Sequence, residues 1–522
     1  RTRQSAETKL AELKRRLLDI SDLAAAEAVL RWDQSTYMPR GGAPARAHQR
    51  ATLSRLAHER SVDPELGKLL DDLAPYAAGL PYDSREASDS REASLIRVAR
   101  RDFEKAIKIP SAYVARASAL GSASYDAWTR ARPANDFAAM IPFLEQAVDL
   151  SREYADFFAP YQHVADPLID AAEEGMTTAS VRSLFAELRS ELMPIVRAIS
   201  DQPIPGDGCL RGFFREPAQL DFSLSVVKQF GYDTDRGRLD KTHHPFCAKF
   251  SGGDVRITTR VDEKHFGDAL FATMHEAGHA LYEQGVAAAL EGTPLGTGTS
   301  WGVHESQSRL WENVVGRSRA FWEHFYPVLR DTFPDEFGQI RFETFYRAIN
   351  KVQRSLIRTD ADEVTYNLHI MLRFDLELEL LEGHLRVKDL PEAWRDRMQA
   401  DLGLAPADDR DGCLQDVHWY GASTIGGGFQ SYTIGNILSA QFYAAAIKTH
   451  PDIPREIAEG KFGTLHGWLR EHLYQHGRKF QRSEVVTRAT GERLSTKPYL
   501  AYLRAKYGEL YRLDLAPLPE HL

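Results

Sequence analysis

The sequence predicts a mainly α-helical protein, and three observations support this class. Most of the 522 residues lie in stretches with helical periodicity or a dense run of helix formers. Extended patterns are few, and the clearest is residues 254–261, where polar and apolar residues alternate and β-branched residues are frequent. The composition, with 43% hydrophobic and 27% charged residues, is typical of a globular protein that buries a large core.

The predicted helices extend from the beginning of the chain to its end. They are residues 5–31, 45–60, 95–130, 136–160, 177–200, 222–230, 266–284, 304–330, 337–386, 392–402, 434–447, 453–478 and 496–507.

The strand predicted at 254–261 follows a Ser-Gly-Gly turn. Residues 243–246 and 416–420 are its candidate neighbours in a small sheet. A strand just before the helix at 266–284 is suited to pairing with an extended peptide, and a structural hairpin is the alternative.

Three polar or glycine-rich stretches interrupt the helices. A hexapeptide, Asp-Ser-Arg-Glu-Ala-Ser, occurs twice in succession at 83–94, which predicts a surface loop extension. Residues 202–208 are loop-like and separate an N-terminal helical half, about 1–205, from a second half, about 206–522, without forming a true linker. The glycine-rich stretch at 421–428 is either a flexible loop that closes over an active site or a plain turn.

Charge and cysteine content exclude several classes of protein. The net charge of −9, with acidic and basic residues mixed throughout, argues against nucleic-acid binding. No run of 18 apolar residues indicates a membrane span, and no apolar signal-peptide core follows the first residues. Cys209, Cys247 and Cys413 are odd in number and lack C-x-x-C spacing, so we expect reduced thiols and a cytoplasmic protein.

The motif H-E-x-x-H at His275, Glu276 and His279 carries the clearest chemical signal. Two histidines four residues apart lie on one face of a helix, so both can bind one Zn²⁺ ion. The glutamate between them can accept a proton from a zinc-activated water and deliver it to a leaving amine. The motif therefore indicates a zinc peptidase, and two satisfied histidines on a buried helix are the alternative.

A catalytic zinc needs a third protein ligand, and spacing alone leaves its identity open. Glu283 lies on the same helix face, but three successive turns of one straight helix cannot converge on a single ion. His304, Glu305 and Glu312 in the following helix are the candidates. Spacing favours Glu305 only slightly over Glu312, whose alternative role is that of a surface carboxylate or one that supports a ligand.

Seven ordered motifs resemble those of a known family. They are W-D-Q-S-T-Y-M-P at 32–39, H-P-F at 244–246, D-x-R-x-T at 254–258, H-E-x-x-H at 275–279, H-E-S-Q at 304–307, I-R-x-x-A-D at 357–362 and G-x-x-Q-D-x-H-W at 412–419. With these motifs the chain resembles the M32 metallocarboxypeptidases, the thermostable carboxypeptidase Taq family, over essentially its whole length. The doubled hexapeptide departs from the family pattern and lies far from the motifs in sequence.

The resemblance implies more than the residues alone predict. It implies a single peptidase domain over 1–522, with a large helical saddle-like body, a deep active-site groove and a small three-stranded sheet near the zinc, similar to neurolysin and angiotensin-converting enzyme. It implies a homodimer that releases single C-terminal amino acids from peptides with broad specificity and accepts proline poorly. It also assigns Glu305 as the third zinc ligand; Co²⁺ is the expected substitute for Zn²⁺.

Further roles follow from the matched motifs. Arg358 is the first candidate for binding the free carboxylate of the substrate, and Arg256 is the second. A structural ion pair is the alternative for each: with Asp360 or Asp362 for Arg358, and between the strand and the body of the protein for Arg256.

Three more positions are candidates on the same motifs or beside them. Tyr432 and His418 are candidate donors to the oxyanion of the tetrahedral intermediate. His244 is expected to shape the substrate pocket, with a buried turn histidine as its alternative.

Two competing functions remain at this stage. A zinc-dependent oligopeptidase or dipeptidyl carboxypeptidase of the same fold would have an identical zinc site. A catalytically silent helical scaffold is disfavoured by the intact His275, Glu276, His279 and Glu305.

Overall fold

Helices make up most of the protein, as the sequence predicts. A computed structural model describes residues 2–78, 91–515 and 517–519. In chain order the helices are Thr2–Thr36, Ala43–Ser61, Pro64–Ala78, Arg91–Lys108, Ser111–Ala134, Ile141–Asp156, Asp166–Ala172, Thr178–Ser200, Glu216–Phe230, Asp268–Gly285, Trp301–Arg309, Arg319–Thr332, Pro334–Phe337, Phe342–Ile349, Tyr366–Glu382, Leu390–Leu402, His418–Gly421, Gln430–Thr449, Ile453–Ala458, Gly463–His472, Arg482–Thr490 and Lys497–Tyr511.

Four of the long predicted helices are broken in the structure; those at 304–330 and 453–478 are interrupted at 316–318 and at 459–462. The segment at 95–130 divides into Arg91–Lys108 and Ser111–Ala134, because Pro110 disfavours helical backbone in the residue before it and precedes the second helix as its cap. The segment at 337–386 contains an irregular stretch at 350–365, in which only the short 3-10 turn Arg358–Asp360 is regular. Side chains from elsewhere in the fold satisfy backbone groups of this stretch, so tertiary contacts override local helix propensity.

The helix Pro64–Ala78 is not among the predicted helices, because Gly67 and Pro75 weaken its pattern. Burial compensates for the weak propensity: Leu66, Leu70 and Leu73 all lie in one hydrophobic cluster with the first helix of the chain.

The three-stranded sheet is confirmed, but its predicted neighbours are wrong. Strands β1 (Leu239–Lys241), β2 (Cys247–Ser251) and β3 (Asp254–Thr259) lie in the order β1-β3-β2. β1 is parallel to β3, with Leu239 opposite Ile257, and β2 is antiparallel to β3, with Cys247 opposite Ile257. Residues 243–246 connect β1 to β2, and residues 416–420 reach into the helix His418–Gly421, because neither segment has the alternation that defines a strand face.

The chain forms two compact units, each assembled from three separate segments. Unit one contains Arg1–Ile107, Asp207–Ile349 and Ser439–Leu494, and it includes the sheet. Unit two contains Lys108–Gly206, Asn350–Leu438 and Ser495–Leu522. The predicted division of the chain into halves near residue 205 stays a prediction.

The glycine-rich stretch at 421–428 is packed within unit two. The Ile425 side chain is buried, and its N–H donates to Ser151 Oγ at 2.8 Å. A methyl group on Gly427 would lie 2.6 Å from the carbonyl oxygen of Leu168. The glycine therefore permits close backbone packing, which is a structural reason for this composition.

The structure also bears on the cysteines, on membrane-spanning helices and on the doubled hexapeptide. Cys209, Cys247 and Cys413 are all free, as the absence of a disulfide pattern predicts. Across the described part of the chain, no helix has the length and apolar character needed to cross a membrane. Residues 83–90 of the doubled hexapeptide lie outside the described residues, and its last four residues form the first turn of the helix Arg91–Lys108.

Candidate active site

The helix Asp268–Gly285, here called the histidine helix, positions the H-E-x-x-H motif in unit one. Nearly all of its side chains are buried. The hydroxyl of Thr259, at the end of β3, donates to the carbonyl oxygen of Ala269 at 3.0 Å and joins the sheet to the start of this helix. Burial on all sides fixes the rotation of the helix and therefore the direction in which His275 and His279 point.

The structure brings His275, His279 and Glu305 together, and donor atoms of the three side chains all lie within 4.8 Å of one another. Glu305 Oε2 is 3.7 Å from His275 Nε2 and 3.4 Å from His279 Nε2. Ligands of a tetrahedral zinc with bonds near 2.05 Å are about 3.3 Å apart. The donor set and its spacing therefore fit a catalytic divalent metal with one position left open.

Glu305 reaches the histidines because two helices approach closely at Gly278. Glu305 lies on the helix Trp301–Arg309, here called the glutamate helix. A methyl group on Gly278 would lie 2.4 Å from the carbonyl oxygen of Gln307 and 2.6 Å from Ser308 Cα. Because these atoms belong to the backbone, any side chain at Gly278 would push the glutamate helix away from the histidine helix.

Glu312 orients the imidazole ring of His275. Glu312 Oε2 lies 2.8 Å from His275 Nδ1, the nitrogen that faces away from Glu305. Glu312 belongs to a π-helical turn, Leu310–Val315, that follows the glutamate helix and is a feature found often at functional sites. Glu312, an alternative ligand on spacing alone, thus contacts the other nitrogen of the ring and orients it.

Hydrogen bonds through His304 to Glu283 orient the imidazole ring of His279. Its Nδ1 lies 2.6 Å from His304 Nδ1, and His304 Nε2 lies 2.7 Å from Glu283 Oε1. If His279 Nε2 is to bind a metal, its Nδ1 must carry hydrogen and donate to His304, which then donates from Nε2 to Glu283. Lys249 Nζ on β2, 3.0 Å from Glu283 Oε2, balances the charge at the end of this chain.

The charges of the cluster depend strongly on one another. Burial alone would raise the pKa of Glu305, but Arg309, whose Nε lies 2.7 Å from its Oε1, and His275 hold that pKa well below the usual range. Burial alone would lower the pKa of His275, but Glu305 and Glu312 raise it to about 9. Burial lowers the pKa of His279 to about 4. Without metal, the imidazole pair therefore carries one positive charge near neutral pH, because His275 is protonated and His279 is a neutral imidazole.

Glu276 lies beside the cluster, with 6% of its surface exposed. Burial raises the pKa of this carboxyl to about 7, against the favourable charge of His275 and with help from Glu305 and Glu312. A group whose pKa lies near the working pH is well suited to proton transfer.

A second cluster of charged residues lies in unit two, around Asp416. Asp416 Oδ2 accepts from Arg358 Nε at 2.6 Å and from Arg373 Nε at 3.1 Å. The ion pair of Arg358 is therefore with Asp416, whereas the sequence alternative named Asp360 or Asp362. Two buried guanidinium groups share one carboxylate, which leaves one positive charge in excess within this group of three.

His418 and Tyr432 continue the second cluster. His418 Nδ1 lies 2.5 Å from Asp416 Oδ1, and His418 Nε2 lies 2.9 Å from the Tyr432 hydroxyl. The Arg358 guanidinium lies over the Tyr432 ring, 5.4 Å from its centre. The structure thus brings together three of the predicted site residues, Arg358, His418 and Tyr432, through one aspartate.

Arg256 and His244 lie in unit one near the sheet. The Arg256 guanidinium makes two 2.8 Å contacts with the Asp254 carboxylate and stacks over Trp32, 4.4 Å from the ring centre. Its ion pair thus stays within β3, and the cation–π contact joins the strand to the first helix. His244 is exposed in the β1–β2 connection, so it is not the buried turn histidine named as its alternative.

Several residues of these clusters were missed in the sequence. The orienting role of Glu283 has a local signal, because it lies four residues after His279 on the same helix face. Gly278, inside the motif, is compatible with close contact between two helices, but the sequence does not show which helix is the second one. Arg309 and Arg373 have no signal, because their partners are set by tertiary packing.

Comparisons with known proteins agree with this geometry. The model of the family described as Carboxypeptidase Taq (M32) metallopeptidase matches residues 12–507. Thermostable carboxypeptidase 1 of Thermus thermophilus is 40% identical over 520 residues, which cover 98% of this chain and 100% of that protein. Carboxypeptidase 1 of Bacillus subtilis is 35% identical over 95% of this chain and 97% of its own. The crystal structure of the M32 carboxypeptidase from Deinococcus radiodurans R1 is similar with a TM-score of 0.93 and 50% identity, covering 97% of this chain and 100% of that one.

The close approach at Gly278 predicts a selective effect of one methyl group. We expect Gly278→Ala to weaken metal binding by about tenfold or more, because the added methyl group, 2.4 Å from the Gln307 carbonyl oxygen, forces the two helices apart and moves Glu305 away from the histidines. The matched control is Gly467→Ala, which also changes a helical glycine in unit one but has open space around the added methyl group. Metal affinity is measured by competition with a chromophoric chelator; equal affinities in the two variants would contradict the prediction.

The charge state of the cluster predicts proton release on metal binding. The raised pKa of His275, about 9, means that a metal must displace its proton at pH 8. We expect release of about one proton per metal between pH 7 and 8.5 and a fall in release above pH 9. Calorimetric titration in buffers of different ionisation enthalpy measures it. Glu312→Gln removes one of the carboxylates that raise this pKa and lowers the release; release independent of pH and of Glu312 would argue against the assignment.

Proposed function

The chain belongs to the carboxypeptidase Taq (M32) metallopeptidase family, and we propose from this premise that it releases single amino acids from peptide C-termini with broad specificity. Membership makes it a metallocarboxypeptidase that uses a divalent metal. The proposal adds that the metal is zinc, with cobalt as a substitute, and that His275, His279 and Glu305 hold it. The observation that carries this proposal is the convergence of their donor atoms.

Glu276 is the proposed general base and proton carrier. When bound, the metal polarises the scissile carbonyl and acidifies the attacking water. The Glu276 carboxylate takes the proton from that water and then donates it to the leaving nitrogen. Its buried setting beside the cluster and its raised pKa support this role, since the group can hold and release a proton near neutral pH.

Arg358 is the proposed anchor for the free carboxylate of the substrate. A guanidinium offers two parallel N–H donors to a carboxylate, and a peptide amide lacks the charge that this contact needs. The excess positive charge shared by Arg358, Arg373 and Asp416 supports this choice, because an added carboxylate neutralises it. Arg256 is the second candidate, because among the described residues its guanidinium pairs with Asp254 alone and this one-to-one pair leaves no excess positive charge.

Tyr432 is the proposed donor to the oxyanion, and His418 is the second candidate. If His418 accepts the phenol proton at Nε2, the Tyr432 hydroxyl points its hydrogen at His418. If His418 instead donates from Nε2, the phenol hydrogen becomes available to the oxyanion. Asp416, in contact with His418 Nδ1, orients the ring in both states.

Other parts of the sequence prediction stay predictions. The homodimer, the saddle-like groove and a pocket role for the exposed His244 rest on the family resemblance. The cytoplasmic location rests on the unpaired cysteines.

A pair of peptides tests the proposed function and its anchor together. We expect the metal-loaded protein to remove single residues from an N-acylated peptide with a free C-terminus and to leave its C-terminal amide intact. Arg358→Ala is expected to raise KM for the free acid by about tenfold to a hundredfold, because a charge-assisted contact is lost. Arg256→Ala serves as the comparison that separates the two candidate anchors, and Arg358→Lys keeps the charge without the paired donors.

Mass spectrometry identifies the products. Internal cuts in both peptides would indicate an oligopeptidase, and dipeptide products would indicate a dipeptidyl carboxypeptidase. A larger KM effect from Arg256→Ala than from Arg358→Ala would reassign the anchor.

Replacement of Glu276 tests the proton transfer. We expect Glu276→Gln to lower kcat by about a thousandfold, because an amide cannot accept the proton of the attacking water. Metal content, measured by atomic emission, is expected to stay at the wild-type level, since Glu276 is not a proposed ligand. The exposed Glu323, on the helix Arg319–Thr332, provides the control Glu323→Gln. Near-normal turnover by Glu276→Gln with bound metal would refute the role.

A further inference from the structure

The segment of residues 350–365, here called the arginine segment, carries Arg358 and is almost without regular structure. It connects the end of one helix at Ile349 to the start of the next at Tyr366. An irregular stretch has no ladder of internal hydrogen bonds to hold its shape, so external contacts must decide where Arg358 points.

Gln415 and Asp416 hold the middle of the segment, at Leu356 and Arg358. Its two ends are held by the helix Lys497–Tyr511, here called the C-terminal helix. Near the start of the arginine segment, the Val352 N–H donates to the Tyr511 hydroxyl at 2.8 Å. Near its end, the Glu363 carbonyl accepts from the Tyr499 hydroxyl at 3.1 Å. One helix thus holds both ends of the segment in unit two, on either side of Arg358.

Glu363 also forms an ion pair with the C-terminal helix. Its carboxylate accepts from the Tyr507 hydroxyl at 2.6 Å and from the Tyr502 hydroxyl at 3.0 Å, and Lys506 Nζ forms an ion pair with it. The side chains of Glu363 and Lys506 are only 6% and 7% exposed. A buried ion pair with additional hydrogen bonds has one good geometry, so it sets the register between the helix and the segment.

A second branch extends from the same helix towards Tyr432. The Tyr499 hydroxyl accepts from Asn367 Nδ2 at 2.8 Å, and Asn367 Oδ1 accepts from Asn436 Nδ2 at 2.9 Å. Asn436 lies one turn after Tyr432 on the helix Gln430–Thr449. Tyr499 is therefore shared between the element that carries Arg358 and the element that carries Tyr432.

We infer that the C-terminal helix is a positioning element of the active site, which holds Arg358 in place for the substrate carboxylate through Tyr511 and Tyr499. The inference rests on the proposed function, because it assigns a purpose to the position of Arg358. The residues of the C-terminal helix are positioning residues: they act through Arg358 and Tyr432. Holding the segment before binding spares the ordering entropy that a free segment would lose with each substrate.

Two single-atom variants of the full, metal-loaded protein test the inference. Tyr511→Phe removes the acceptor of the Val352 N–H, and Tyr499→Phe removes the donor to Glu363 and the acceptor of Asn367. We expect KM for the free-acid peptide to rise on the order of fivefold in each variant, because each loses one hydrogen bond to the arginine segment. For Tyr511→Phe we expect kcat to stay within twofold, whereas Tyr499→Phe also lowers kcat because it disturbs the Tyr432 branch.

The matched control is Tyr113→Phe. Tyr113 is a buried tyrosine of unit two whose hydroxyl donates to the Leu150 carbonyl at 2.9 Å, so the variant loses the same kind of bond without touching the arginine segment. Hydrogen exchange followed by mass spectrometry is expected to show faster exchange in peptides covering 350–365 for the two test variants and no change there for the control.

The outcomes separate the inference from the proposed function. A rise in KM with faster exchange of the arginine segment in either test variant supports positioning by the helix end concerned. An acid-selective wild-type enzyme whose two test variants both keep the wild-type KM, even with a lower melting temperature, would overturn the inference alone. A wild-type enzyme that cuts acid and amide equally would overturn the proposed function and this inference with it.

Discussion

The contact between Gly278 and the backbone at Gln307 and Ser308 sets the distance between the histidine helix and the glutamate helix. The candidate metal site depends on this distance. A histidine helix with two imidazoles is only half of a metal site, and the remaining ligand must come from another element. Glycine allows the glutamate helix to approach until Glu305 Oε2 is 3.4 Å from His279 Nε2. The outer contacts through Glu312, His304 and Arg309 act at this fixed spacing: they orient donors that the backbone has already brought near.

The cluster around Glu305 and the cluster around Asp416 are stabilised in the same way. Each removes ionised groups from water, which is unfavourable unless every group finds partners of suitable geometry. Glu305 receives Arg309, and Asp416 receives two guanidinium groups and His418. Partners on several sides leave each side chain one favourable arrangement, so little reorganisation is needed when a charged ligand arrives.

Local periodicity and spacing predicted the helical class, the strand at β3 and the pairing of His275 with His279, because each of these depends on residues close in sequence. Features that depend on residues far apart in sequence were predicted only in part. Spacing left three residues of the following helix open as the third ligand, and only the family resemblance selected Glu305. The break at 350–365 was missed because its partners, such as Tyr511, lie far along the chain. The sheet neighbours were misassigned because strands of three to five residues carry too short a pattern.

The order of synthesis gives the C-terminal helix a further consequence. Residues 350–365 leave the ribosome well before residues 497–511, and at 5–20 residues per second the interval is on the order of ten seconds. During that interval Glu363 has neither Lys506 nor the tyrosines that surround it in the finished protein. Unit two is also completed only by its third chain segment. The two ends of the arginine segment therefore gain these contacts only after the C-terminal helix has been synthesised, which follows the third segment of unit one, Ser439–Leu494.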